Sequence, residues 1–411
     1  MVPAALCQGY LDSLTRTVGS DSVALVDIRK FREMEANVEL GASPWPTPFI
    51  AILSDTVAKR EQISSSLVGC HWDLVVVDEA HRLTGRSLSV VERMIREGVV
   101  SRTLFMTATP TNALLCIGGQ ELCRTEWGEN EIDWLGHNLR PPEPEQAIIN
   151  FERTREEINL LEALQSFLNL MTITKSKTAN FIKDGLLQKA ASSVFVLEEA
   201  LGRLGRIRND IVHGRTVACS QDLLGAISDW EEEVGDNLEL MGLLQGFVGI
   251  ENLLDLVDEI RSDQKLETLY QLLKKLTNEE NGVHRRICIF SSYVDTVLYL
   301  ESSLSDVGYN VTSLTGSTSP EERTGFIQIL NESNKPLVLV TSITEGTDFR
   351  DMDVLIHYDL PSAQVRMEQR RGRFNRLGRS KPFKEFAFMD KSGVLQFEDN
   401  LLRIYFPTLF V

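Results

Sequence analysis

Two stretches of this 411-residue chain carry residue types suited to phosphate chemistry. The first is Leu74-Val75-Val76-Val77-Asp78-Glu79-Ala80-His81. Its apolar, mostly β-branched start predicts a strand buried on both faces of a parallel sheet. Two carboxylates follow where that strand leaves the sheet, and open α/β sheets bind ligands at the carboxyl ends of their strands. There Asp78, with Glu79 beside it, can hold Mg2+ through the waters that this ion retains. Glu79 can also orient and deprotonate an attacking water, the small share of phosphoryl-transfer chemistry left to a protein. A bare acidic pair at a strand end is better read as an ordinary solvated turn; the whole Asp-Glu-Ala-His word after an apolar run is far more specific. The second stretch is Glu368-Gln369-Arg370-Arg371-Gly372-Arg373-Phe374-Asn375-Arg376. Guanidinium planes match phosphate oxygens. Arg373 and Arg376 lie three apart and point the same way on a helical turn, as arginine fingers completing a phosphoryl-transfer site would. The alternative is a basic helix gripping a phosphate backbone nonspecifically.

The elements that must position these residues are read from hydrophobic periodicity. Leu11–Val18 predicts a short helix, and Ser22–Ile28 and Phe49–Leu53 predict strands. A helix opens at Ala58-Lys59-Arg60-Glu61 and ends near Gly69, and another covers Val90–Gly98. Thr103-Leu104-Phe105-Met106 predicts a buried strand ending in Thr107-Ala108-Thr109-Pro110. Pro141-Pro142-Glu143-Pro144 marks a stiff linker, and Ala147–Phe151 a short strand. Helical patterns then cover Glu156–Leu170, Leu186–Leu204, Leu223–Val234, Leu238–Ile260 and Lys265–Leu276. A second sheet region starts at Arg285, with strands over Ile287–Phe290, Val311–Leu314, Leu337–Val340 and Val354–Tyr358 and a helix over Val294–Ser303. Ser319-Pro320-Glu321-Glu322 is a helix start with its cap, its proline and its capping-box glutamate. Thr315-Gly316-Ser317-Thr318 is a hydroxyl-rich turn that can offer donors to a phosphate backbone.

These words stand in the order found in superfamily 2 helicases and translocases, which the chain resembles. Val2-Pro3 and its helix are similar to motif Ia, and Asp78-Glu79-Ala80-His81 to motif II in its DEAH form. Thr107-Ala108-Thr109 resembles motif III, Ser291-Ser292-Tyr293 motif IV, Glu345-Gly346-Thr347-Asp348 motif V and Gln369–Arg376 motif VI. The resemblance implies two RecA-like α/β domains, 1–112 and 281–395, with a helical insertion over 113–280 and a tail over 396–411. It implies ATP and Mg2+ in a cleft between the sheets, with Glu79, Arg373 and Arg376 catalytic and Asp78, Gly346, Asp348 and Gln369 on the nucleotide. It also implies nucleic acid on Thr107, Thr109, Ser291, Thr315, Gly316 and Thr341, duplex DNA first, with RNA left open. The helical insertion, Tyr358-Asp359-Leu360-Pro361 and Glu368-Gln369-Arg370 look most like the Swi/Snf-like and RNA-polymerase-recycling branch. The phosphate-binding word G-x-x-x-x-G-K-[ST] does not occur in the chain. The expectation is a fragment of a longer enzyme; the alternative is a noncatalytic adaptor that binds nucleic acid or protein.

Composition narrows the remaining classes. A net charge of −17 argues against a uniformly basic nucleic-acid coat and leaves room for local Lys/Arg clusters. No apolar run reaches the roughly 20 residues of a membrane span, so no membrane partner is expected. The six cysteines are scattered without a Cys-x-x-Cys pair, which argues against a zinc ribbon and fits a reducing cytoplasm. One unabsorbed word, Arg208-Asn209-Asp210-Ile211-Val212-His213, fits the R-x-x-x-x-H pattern of HEPN ribonucleases. There His213 would act as acid or base and Arg208 would bind phosphate; the competing reading is a helix face tied up within the insertion.

Overall fold

Parallel pairing of short apolar runs builds both halves of the molecule. The computed structural model describes residues 1–39, 42–80, 83, 85–107, 142–171, 177–213, 249–277, 286–319, 322, 325–326, 336–343, 349, 351–375, 379 and 381–410. The chain divides into two units, Met1–Trp127 and Gly128–Val411.

In the first unit β1 (Val23–Leu25) pairs in parallel with β2 (Ile50–Ile52), and β3 (Trp72–Asp78) with β4 (Val100–Met106). Met1 and Val2 run between the two pairs. The Val2 amide donates to Leu53 O at 3.0 Å, the Met1 amine donates to Val76 O, and the Asp78 amide donates to Met1 O at 3.0 Å. The helices are α1 (Cys7–Val18), α2 (Ile28–Ala36), α3 (Asp55–Ala58), α4 (Glu61–Val68) and α5 (Gly85–Arg96). Asp27 caps α2 by accepting from Lys30 N, and Ser54 caps α3 by accepting from Val57 N. These caps satisfy donors that a helix start leaves open. Phe31, Trp45, Ala58, Ile63 and Met94 form the main core.

One expectation is corrected here. β3 is not buried on both faces, because Leu74 is 52% and Leu104 48% exposed. The register sets Val76 beside Leu104 and Asp78 beside Met106. Leu74, Val76, Leu104 and Met106 therefore share one face, while Val75, Val77 and Phe105 point into the cores on the other. A run of apolar residues marks a strand, but how many of its faces are covered depends on what packs there.

The second unit holds a six-stranded parallel sheet in the order β5-β10-β9-β6-β8-β7. Its strands are β5 (Glu145–Phe151), β6 (Arg286–Phe290), β7 (Val311–Leu314), β8 (Leu337–Thr341), β9 (Val354–His357) and β10 (Lys384–Asp390). Here both faces are covered. On β6, Ile287 and Ile289 pack with Leu269, Leu273, Val297 and Leu300. Cys288 and Phe290 pack on the opposite face with Phe349, Phe374 and Phe383. The helices on the sheet are α10 (Gln264–Thr277), α11 (Val294–Asp306), α12 (Gln364–Phe374) and α13 (Gln396–Tyr405). Ser319 and Glu322 make the expected reciprocal cap: Ser319 N donates to Glu322 Oε2 at 2.8 Å and Glu322 N to Ser319 Oγ at 3.2 Å.

The helices α6 (Arg155–Met171), α7 (Lys177–Ser192), α8 (Val194–Val212) and α9 (Ile250–Asp258) share one leucine-rich core, with Leu164, Leu168, Leu186 and Leu201 fully buried. The helical run read as Leu186–Leu204 breaks at Ser193, whose hydroxyl accepts from Phe195 N at 3.2 Å and starts α8. The predicted helix over 223–234, and the first part of the one over 238–260, lie outside the described residues. The strand read at Ala147–Phe151 is an edge of the large sheet, paired with β10.

Buried charges lock this sheet to the bundle. Arg153 Nε lies 2.6 Å from Asp390 Oδ2. Lys265 Nζ, fully buried, donates to Ala191 O at 2.6 Å, sits 3.9 Å from Glu398 Oε1 and lies over the Tyr358 ring. Burial holds the Lys265 ammonium below its usual pKa. Removing one partner of a buried pair strands the other. Lys265→Met is therefore expected to lower unfolding free energy by about 3 kcal/mol or more. A urea midpoint equal to that of the parent protein would show that the pair is not stabilising.

Candidate nucleotide and nucleic-acid sites

In the first unit the acid pair sits where β3 ends. Asp78 Oδ2 accepts from the Tyr10 hydroxyl at 2.8 Å and Oδ1 accepts from Glu79 N at 2.9 Å. Glu79 has φ +49°, a left-handed conformation that non-glycine residues adopt at a cost and that clusters at functional sites. The bond from its own amide to Asp78 holds it there. A pocket beside the pair is lined by Met1, Pro3, Asp55, Asp78, Glu79 and Leu83. Asp55 and Tyr10 are site residues that the sequence reading missed, since neither stands in a recognisable word. Burial, reinforced by the bond to Asp78, raises the Tyr10 phenol pKa, so it remains a donor. Thr107 follows β4 and is half-buried; His81 and Thr109 lie outside the described residues.

In the second unit the predicted residues separate into framework and surface. Ser291 and Thr341 are fully buried. Ser291 Oγ donates to Asp359 Oδ2 at 2.5 Å, and Thr341 Oγ1 donates to Leu314 O at 2.9 Å. Both hydroxyls are committed to the fold, which corrects the expectation that they face nucleic acid. Thr315 is also buried, with its amide donating to Thr318 Oγ1 at 2.8 Å and its hydroxyl 2.8 Å from Ser317 Oγ. That leaves Gly316 and Ser317 exposed at the tip of the turn.

The arginine word forms α12, and its members divide. Arg370 is buried: Nη1 donates to Asp359 O at 2.7 Å and Nη2 to Ser292 Oγ at 2.9 Å. Arg371 Nε donates to Glu385 Oε1 at 2.6 Å and Nη2 to Tyr405 O at 2.8 Å. Gln369 and Arg373 are half-buried on the same helix. The carbonyl of Arg373 accepts from Phe349 N at 3.0 Å, which ties α12 to the chain just after the motif V word. Gly346, Asp348 and Arg376 lie outside the described residues. Asp359 is the framework residue whose role the sequence did not reveal: within its word it looks like a strand end.

Arg208 and His213 sit apart from these groups. Arg208 Nη1 pairs with Glu251 Oε1 at 3.0 Å, and His213 Nδ1 bonds to Asn209 O at 2.8 Å at the end of α8. Both contacts match the reading in which the helix face is tied up locally.

Residues 264–378 match the helicase conserved C-terminal domain family, a span that takes in β6 to β9 and α12. The chain is 21% identical over 378 residues to an uncharacterized ATP-dependent helicase, YqhH, of Bacillus subtilis (strain 168). That likeness covers 89% of this chain and 63% of the relative. It is 29% identical over 145 residues to the ATP-dependent RNA helicase FAL1 of Pyricularia oryzae, covering 35% of this chain and 32% of that protein. The chain thus spans less than two thirds of the length of these relatives. In fold it is similar to the helicase domain of Pyrococcus furiosus Hef, with TM-score 0.52 and 14% identity over 97% of this chain and 88% of that one. Each of these likenesses is to a helicase or to a helicase domain. No helix among the described residues is long and apolar enough to cross a membrane.

The anchor of α12 has a pH signature. Glu385 accepts from His357 Nε2 at 2.8 Å, from Arg371 and from Gln146. Burial alone would raise its pKa, but the His357 and Arg371 bonds outweigh that and hold it at about 2. Burial pushes the His357 pKa below 6.5, against the opposing pull of Glu385. Both folded values are depressed, so the unfolded chain takes up more protons and acid favours it. Stability should begin to fall as pH drops below 6.5 and fall further from 4.5 toward 2. Urea midpoints at stepped pH should show both stages, and His357→Gln should remove the first. An unchanged slope above pH 4.5 in that variant would refute the assignment.

Proposed function

We propose that the chain is the core of a nucleic-acid-dependent ATPase of the helicase and translocase type, nearest the Swi/Snf-like and RNA-polymerase-recycling branch. Duplex DNA is its first substrate. The observation that carries this reading is the arginine helix α12, anchored at the carboxyl end of β9 beside the buried central strands β6 and β8, within the segment matching a helicase domain. Residues 1–112 and 281–395 are the two RecA-like lobes, with 113–280 as the insertion and 396–411 as the tail. β5 is then a strand that the insertion segment lends to the second sheet.

Asp78, Glu79 and Asp55 line one pocket, and a hydrated Mg2+ needs only one or two protein carboxylates. Asp78 would hold Mg2+ through its waters, with Glu79 beside it. Mg2+–ATP supplies the reacting phosphoryl group and its charge neutralisation when bound. Glu79 orients a water and accepts its proton. Arg373 and Arg376 donate to phosphate oxygens, and Gln369, Gly346 and Asp348 contact the nucleotide. Thr107, Thr109, Gly316 and the turn built by Thr315 contact nucleic acid.

With no phosphate-binding word among its residues, the chain alone should bind ATP weakly and hydrolyse little of it. A version with such a loop and its strand joined upstream should show nucleic-acid-stimulated hydrolysis. In that version Glu79→Gln should keep ATP binding and lower turnover by about two orders of magnitude or more. Arg376→Ala should lower turnover by about three or more, with little change in nucleic-acid affinity. Robust hydrolysis by the chain alone would contradict the reading, as would an Arg376→Ala variant that loses nucleic acid and spares turnover.

A further inference from the structure

We infer that Ser192 is a positioning residue, coupling the helical bundle to the arginine helix α12 through Asp359 and Arg370. Its functional consequence rests on the reading of Arg373 as a phosphate-contacting arginine.

Ser192 is the last residue of α7 and is fully buried. The break at Ser193 turns the chain and leaves the Ser192 hydroxyl against the end of β9. Its oxygen lies 2.9 Å from Asp359 Oδ2 and 2.8 Å from Thr296 Oγ1. An ionised carboxylate only accepts, so the single Ser192 proton goes to Asp359. Thr296 must then donate to Ser192. On the other carboxylate oxygen, Asp359 Oδ1 accepts from Ser292 N and Ser292 Oγ at 2.7 Å each and from Arg370 Nη2 at 3.3 Å. Asp359 Oδ2 also accepts from Ser291 Oγ at 2.5 Å, so the bundle and the β6 exit share one oxygen while Ser292 and α12 share the other.

Arg370 stands three positions before Arg373 on the same helix, whose carbonyl at Arg373 holds Phe349. A shift of the α7–α8 break changes the donor set of a buried carboxylate. The carboxylate compensates by pulling on Arg370, because a buried charge short of donors is costly. Docking of the bundle itself does not need Ser192. Lys265 still donates to Ala191 O, Gln165 Nε2 to Val394 O at 2.7 Å and the Tyr293 hydroxyl to Gln188 Oε1 at 3.0 Å. Ser192 is the one bundle side chain that bonds to Asp359 among the described residues.

Removing its hydroxyl should therefore uncouple α12 without undocking the bundle. Hydrogen exchange followed by mass spectrometry on the 411-residue chain tests this without nucleotide. Ser192→Ala should speed exchange across 364–374 by about tenfold or more, the scale of one hydrogen bond to a charged acceptor. Peptides of α6 and α9 should exchange as in the parent protein. Ser192→Cys, similar in size with a weaker donor, should give a smaller acceleration in the same place; it carries the same readout if the alanine variant does not fold. Unchanged exchange in α12, or acceleration spread evenly over bundle and sheet, overturns the coupling. The phosphate role of Arg373 is tested separately, by the effect of Arg373→Ala on turnover in the loop-bearing version. Loss of that role with α12-specific acceleration intact would leave the coupling standing.

Discussion

A carboxylate buried without compensation is among the most unfavourable groups a protein can hold. Asp359 is 4% exposed and sits where β9 leaves the sheet. Its charge persists because Ser192, Ser291, Ser292 and Arg370 all donate to it. Burial opposes ionisation, yet the Arg370 charge and the serine bonds keep the Asp359 pKa below the usual range. These donors come from the end of α7, the end of β6 and the middle of α12, so one carboxylate fixes three elements relative to one another. The Ser291 hydroxyl, which resembles a nucleic-acid contact in sequence, is part of this framework.

The division of labour along α12 follows from the same constraint. Arg370 and Arg371 face inward, to Asp359 and to Glu385, and become anchors. Arg373 is half-buried, and its carbonyl holds Phe349. On the proposed reading α12 positions an arginine for phosphate chemistry, and catalytic geometry tolerates little misplacement. Here neighbouring arginines in the same word hold the helix in place. In the first unit the left-handed Glu79, held through its amide by Asp78, is a smaller case of local strain supported by its surroundings.

Much of the architecture was legible along the chain. Ile287–Phe290, Leu337–Val340 and Val354–Tyr358 are apolar runs too short for helices, and they became adjacent central strands. The cap at Ser319 and Glu322 was readable because its bonds span three residues. The break at Ser193 was less so: a serine within a helical period is tolerated, and only its side chain's choice to cap the next helix ends the first. The partner of β5 was not readable at all. Gln146 meets Glu385 across 239 residues, and nothing local encodes that pairing.

The sequence by itself determined the residue types at the strand exits, the α/β class and the order of the phosphate-directed words, because these follow from local periodicity and short spacings. The tertiary structure alone decided which of those residues face inward. Ser291 and Thr341 are drawn into the fold, Leu74 and Leu104 are left half exposed, and Arg208 is paired with Glu251. It also brought Tyr10 to Asp78 and Ser192 to Asp359. The physical reason is the same in each case: the burial and partners of a polar or apolar group depend on packing between elements distant in sequence, and no local pattern specifies that packing.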